Sequence, residues 1–280
     1  MRVCLFIALI LLTGCTSKNS SITSIYKFSD IPINLISQDT IILIDIDNTI
    51  LRTATNYGSV EHFEHLHKEA ENKTNLTQAQ IKLKLLEKWR QAQEKISTQL
   101  VDENVNSFIK KALDNKITII AFTAREPLIS ELSYNQLKFY NIFMSQLPKF
   151  SFSTSSKNQI FPDNEWCKKD INIKICEQNP PKEHHISPSI FYKGILFAHA
   201  LNHKGRIFYD FYTQYKDYAK KHKLTIPTKV IFIDDKMHNL TSMKEACKHL
   251  KLNFHGYHLI TNFSFNLQQA QQEEISLSKN

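Results

Sequence analysis

The chain has 280 residues, a formal net charge of +8 at pH 7, 42% hydrophobic residues and 11% aromatic residues, a composition that folds rather than stays disordered. Its five glycines, at 14, 58, 194, 205 and 256, are never closer than eleven residues. That spacing excludes GxGxxG, GxxxxGK and GxSxG, and with them the usual dinucleotide fingerprint, the P-loop and the nucleophile elbow.

Met1 and Arg2 precede a ten-residue apolar run, Val3 to Leu12. A membrane-spanning helix needs about 20 residues, so the run reads as the core of a signal peptide. It ends in Leu12-Thr13-Gly14-Cys15, which resembles the bacterial lipoprotein lipobox. The resemblance implies a signal peptide over 1–14, a lipid on Cys15 that holds the protein to a membrane of the cell envelope, and a polar tether over 15–38. An ordinary signal peptide with a chance cysteine and a retained cytosolic N-terminus are the alternatives. Thr16 after the cysteine resembles outer-membrane sorting, if the cell has two membranes. Further on, Cys167 and Cys176 lie nine apart in a loop-like stretch and could pair outside the cytoplasm. Cys247 is expected in a helix, unpaired and buried. No CxxC occurs, which argues against a thiol oxidoreductase.

The body alternates strands and helices. Thr40-Ile41-Ile42-Leu43-Ile44 reads as a strand buried on both faces of a parallel sheet. Helices are expected over 60–72, 77–98, 102–116 and 128–144, with apolar residues at helical spacing. A second buried strand is expected over 117–122, a short one over 195–198, a third strong one over 230–233 and a last one over 255–260. An aromatic-rich helix is expected over 204–221 and another over 237–250; residues 146–190 read as irregular and 268–274 as a Gln/Glu-rich tail. This alternation implies a doubly wound, Rossmann-like parallel α/β sheet, in which ligands bind beyond the carboxyl ends of the strands.

Those ends carry the chemistry. The first strand runs into Asp45-Ile46-Asp47-Asn48-Thr49, the second into Thr123-Ala124-Arg125 and the third into Asp234-Asp235. Carboxylates converging on one sheet edge repel each other and need a cation. An all-oxygen set suits Mg2+. A calcium loop is excluded, because Ile50 and Asn56 stand where an EF-hand needs glycine and glutamate. A threonine hydroxyl and a lysine would complement an anion beside such a metal.

The pattern resembles the haloacid dehalogenase (HAD) superfamily of phosphotransferases. It covers about 200 residues, from 39 to 260, with four motifs in order: Ile41 to Thr49, Ile120 to Thr123, Lys204-Gly205, and Val230 to Asp235. The resemblance implies an HAD-like domain over 39–280, with a helical cap insertion at about 52–100 and a second insertion at about 146–192. It implies Asp45 as nucleophile, forming an aspartyl-phosphate. Asp47 would be general acid and then base, with its backbone carbonyl on the metal. Thr123 would donate to a phosphoryl oxygen, and Lys204 would neutralise charge in the transition state. Asp234 would ligate Mg2+, and Asp235 would either ligate through water or orient Lys204. An acid at position 47 favours phosphomonoester hydrolysis over dehalogenation, because a halide leaves without a proton.

The implied protein is therefore a Mg2+-dependent acid phosphatase acting on a small phosphorylated substrate. A catalytically silent binding lipoprotein and a phosphotransferase with a non-water acceptor are the alternatives. Lys193-Gly194 is a rival to Lys204-Gly205 for the third motif. Arg125 could reach a phosphate or cap the next helix. His62, His65 and His67 share a helix and offer a weak transition-metal site; His184-His185 reads as solvated. Lysines are spread among acidic neighbours, so the basic balance implies attraction of an anionic substrate and no nucleic-acid partner.

Overall fold

The computed structural model describes residues 20–33, 36–154 and 189–279. The expected signal peptide, Cys15, Cys167, Cys176 and His184-His185 lie outside the described residues. In chain order the elements are β1 (Ser21–Ile25), a 3-10 turn (Phe28–Asp30), β2 (Thr40–Ile44), β3 (Leu51–Thr53), α1 (Val60–Lys73), α2 (Gln78–Gln93), β4 (Thr98–Leu100), α3 (Asn104–Asp114) and β5 (Thr118–Thr123). There follow a second 3-10 turn (Pro127–Ile129), α4 (Ser130–Phe139), β6 (Ile190–Tyr192), β7 (Ile195–Phe197), α5 (Lys204–Lys221), β8 (Lys229–Asp234), α6 (Met237–His249), β9 (Asn253–Leu259) and α7 (Leu267–Ser278).

Seven strands make one sheet in the order β1-β9-β8-β2-β5-β7-β6. All neighbours are parallel except β6 and β7. The fold is thus mixed α/β and Rossmann-like, as the alternating elements imply. The continuous apolar runs are explained by coverage of both faces. Ile42, Ile44, Ile119, Ala121, Ile231 and Ile233 pack with α3 on one side. Ile41, Leu43, Ile120, Phe122, Val230 and Phe232 pack with α5 and α6 on the other.

Register sets the strand ends. Ile44 pairs with Ala121 on β5 and with Ile233 on β8. Asp45 therefore leaves the sheet level with Asp234, and Thr123 lies one residue further along. The sheet order reverses direction at β2, which is where doubly wound sheets open a crevice for ligands.

Several expectations are corrected. The tether placed over 15–38 is, in its described part, built into the domain. Residues 21–25 form β1, parallel to β9, and Phe28, Ile31 and Ile33 are buried. The insertion over 52–100 is not wholly helical: α2 ends at Gln93, and β3 and β4 pair antiparallel at its base. The helix expected over 128–144 begins with a 3-10 turn at Pro127 and ends at Phe139, two residues before Asn141, whose φ is 57°. The Gln/Glu-rich tail is helix α7. Lys193-Gly194 is the two-residue turn of the β6–β7 hairpin, with φ of 46° and 83°, the positive values a primed turn requires.

Candidate functional site

Asp45 follows β2 directly, and its N–H donates to Ile233 O at 2.9 Å, which locks the two strand exits together. The chain then folds back sharply. Asn48, in the left-handed region, donates its N–H to Leu51 O at 2.7 Å, and the Ile50 and Leu51 N–H groups both donate to Ile46 O. Asp47 is carried on this turn.

Lys204 opens α5, and its side chain is 1% exposed. Its ammonium lies 2.7 Å from Asp45 Oδ1 and 2.8 Å from Asp234 Oδ2. Gly205 makes this position attainable. A Cβ there would sit 2.2 Å from Ser242 O on α6, so only glycine lets the two helices approach so closely. The rival Lys193 instead bonds Glu131 at 3.1 Å and lies over the rings of Tyr134 and Tyr192.

Asp234 is fully buried and heavily satisfied. It accepts from the Lys236 N–H at 2.7 Å and from Asn239 Nδ2 at 3.0 and 3.1 Å, besides Lys204. Asp235 forms no ion pair with Lys204; the carboxylates that do are those of Asp45 and Asp234. Asp235 lies 3.6 Å from Lys236 Nζ, which also reaches Glu64 on α1 at 2.7 Å.

Arg125 is turned to Asp47. It forms a bidentate pair with Asp47, Nε to Oδ2 and Nη2 to Oδ1, both at 2.9 Å. Its Nη1 donates to Ser133 Oγ at 2.9 Å and to Gln136 Oε1 at 2.6 Å on α4. Thr123 is fully buried, and its Oγ1 accepts the Arg125 N–H at 3.1 Å, which leaves the hydroxyl hydrogen to donate elsewhere.

Asp45, Asp234 and Asp235 each offer an oxygen within 4.8 Å of the others. Burial, and then the charge of Asp234, pushes Asp235 up to about 7. Burial also lifts Asp45, with the neighbouring aspartates adding to it against the pull of Lys204. Burial works against the charge on Lys204, but the carboxylates of Asp234 and Asp45 hold it above the ordinary lysine range. The site is short of positive charge, and its donors are all oxygen. That is the arrangement a hard divalent cation fits. The Asp47 carboxylate, turned to Arg125, stands outside this trio.

His62 does not form a metal centre with its helix neighbours. It is buried against Tyr57 and Phe265, and its Nδ1 accepts from the Gly58 N–H at 3.3 Å. His65 and His67 pair with Glu69 and Glu71. Among the described residues, the aspartate trio is the one such group of three ligands.

The helical hairpin α1–α2 lies over the site and touches all three strand exits. Asn48 Nδ2 donates to Glu61 Oε1 at 2.7 Å, Lys236 meets Glu64, and Trp89 lies 5.6 Å from the Arg125 guanidinium. Sequence reasoning missed Asn239, Ser133, Gln136 and these hairpin contacts. It also missed His199, buried just after β7 with a φ of 68° and Nε2 3.5 Å from Glu126 Oε1. Asn239 had a legible signal, a first-turn amide five residues beyond the strand-ending Asp234.

Fold and site together define a mixed α/β protein with a mostly parallel sheet and a lysine-centred acidic site at its carboxyl edge. The chain belongs to the family described as protein of unknown function (DUF2608), whose model matches residues 24–276. No curated protein and no solved structure matches it.

Proposed function

We propose that this chain is a phosphomonoester hydrolase of HAD type that uses Mg2+ and an aspartyl-phosphate intermediate. The observation that carries the reading is the placement of Lys204 between Asp45 and Asp234, with Asp235 completing an all-oxygen trio. Asp45, Asp234 and Asp235, with the backbone carbonyl of Asp47, would hold the ion. When bound, it would offset the negative charge of the site and of the transferring phosphoryl group.

In this reading Asp45 attacks phosphorus and the ester P–O bond breaks. The leaving alkoxide takes a proton from Asp47. Asp47, now a carboxylate, draws a proton from water, which attacks the phosphoryl group on Asp45; inorganic phosphate leaves and Asp45 is restored. Lys204 stabilises the negative charge that builds on the phosphoryl oxygens, and Thr123 donates to one of them. Arg125 holds Asp47 in place through two parallel bonds, a geometry that fixes direction as well as distance.

Among the described residues no helix is long and apolar enough to cross a membrane. Attachment to an envelope membrane rests in this proposal on a lipid at Cys15. Hydrolysis of p-nitrophenyl phosphate, with Mg2+ and with EDTA, tests the chemistry. Turnover should need the metal and vanish in Asp45→Asn; turnover that survives Asp45→Asn refutes the mechanism. Cys15→Ser should release the protein from membranes, and unchanged membrane association refutes lipid anchoring.

A further inference from the structure

Helix α2 carries a lysine where its pattern calls for an apolar residue. Ile81, Leu85, Leu86, Ala92 and Gln93 are buried. At 3.6 residues per turn, Lys82 and Trp89 fall in the middle of the same face. That face is turned to the body of the protein: Trp89 lies 5.6 Å from the Arg125 guanidinium, and Gln93 Nε2 donates to Gly58 O at 2.8 Å. Lys82 is partly buried. Its helical neighbours at three and four residues' distance are Gln78, Ala79, Leu85 and Leu86, none of them acidic. Among the described residues no carboxylate pairs with it, and burial lowers its ammonium below the ordinary lysine range. A half-buried lysine on this face with no carboxylate beside it carries an uncompensated charge, which an anion from outside the chain would offset.

We propose that Trp89 and Lys82 are the substrate-selecting residues of the hairpin. Trp89 is a platform beside the Asp47–Arg125 pair, and Lys82 binds a second anionic group of the substrate. The proposal rests on the phosphatase reading of the site and deepens it. Seven residues of helix separate the two side chains, about 10 Å at 1.5 Å per residue. The substrate class is therefore a phosphomonoester whose second phosphate or carboxylate extends past the Trp89 platform, roughly 10 Å along α2. A simple monoester fills the acidic site and leaves Lys82 bare.

The test compares hexane-1,6-diol bisphosphate with hexyl phosphate. KM is measured by phosphate release, and affinity is measured by calorimetry on the full chain carrying Asp45→Asn, with Mg2+ present in both. The bisphosphate should be favoured by about tenfold, the size of one charge-assisted contact. Lys82→Met should abolish that preference, Lys82→Arg should keep most of it, and Lys82→Glu should reverse it. Lys82→Met should also raise the thermal midpoint, because it removes an unpaired buried cation; a lysine with a structural role would lower it. Hydrolysis of both probes without preference overturns the role of Lys82 and leaves the phosphatase reading standing. Preferential binding without hydrolysis does the reverse, and binding of neither probe overturns both.

Discussion

Both oxygens of Asp47 are bound by Arg125, each at 2.9 Å. The guanidinium is in turn held by Ser133 and Gln136, so Asp47 is positioned from α4 through a single side chain. Arg125→Lys keeps the charge and loses the fork. Its kcat on p-nitrophenyl phosphate should fall by about tenfold to a hundredfold with little change in KM, the signature of a group that acts in the transition state. An unchanged kcat would show that Asp47 needs no such support.

Lys204 is the cation shared by Asp45 and Asp234. Lys204→Met leaves buried carboxylates uncompensated, which typically costs about 3–5 kcal/mol. Urea unfolding in EDTA should show a loss of that order, and Mg2+ should recover part of it. A variant as stable as the parent in EDTA would mean that the aspartates are neutral there.

Mg2+ that binds only the folded chain must raise its unfolding midpoint. Differential scanning with increasing Mg2+ should show that rise in the parent. Asp235→Asn, which removes one of three clustered oxygens, should need at least tenfold more Mg2+ for the same shift. Equal responses would place the ion elsewhere.

Gly205→Ala puts a carbon 2.2 Å from Ser242 O, a backbone atom that can yield only if α6 moves. Overpacking of this kind costs about 1–3 kcal/mol. Because the next residue back is Lys204, activity should fall further than stability accounts for at temperatures well below the midpoint. Activity in proportion to the folded fraction would separate Gly205 from the chemistry.

The segment after β9 packs on the base of the hairpin. Phe265 stacks near His62, the Tyr57 N–H donates to Glu273 at 2.8 Å, and Phe263 lies under Arg52. Burial lowers His62, opposed in part by Glu274 and Glu273 and reinforced by His65 and Lys88. With the folded pKa below the unfolded one, the unfolded chain binds the proton more readily. Stability from this group is complete above about 6.5 and declines as pH falls through that value, by at most about 1.4 kcal/mol per pH unit. Urea midpoints at pH 7.5 and 5.5 should differ more in the parent than in His62→Gln. An equal difference would assign the acid sensitivity to other groups.

The strands that frame the site were legible because they are buried on both faces and read as unbroken apolar runs. Chain order then set Asp45, Thr123 and Asp234 at strand exits. What could not be read was long-range side-chain pairing. Arg125 and Asp47 are 78 residues apart, and no periodicity encodes which group a guanidinium will meet. Edge elements were also lost. In β1 only Ile25 is buried, and β3 and β4 are three residues each, too short for an alternation to register. The helix α7 was masked by its composition, since its glutamines and glutamates look like a solvated tail although Ala270 is buried.

Strand β1 has a consequence for geography. It runs parallel to β9, its one partner in the sheet, so Ser21 enters at the sheet edge opposite the one that bears the aspartates. Residue 20, the first described, therefore lies on the side away from the site. A ligand of the aspartates therefore approaches from the side of the sheet opposite the one at which the described chain enters.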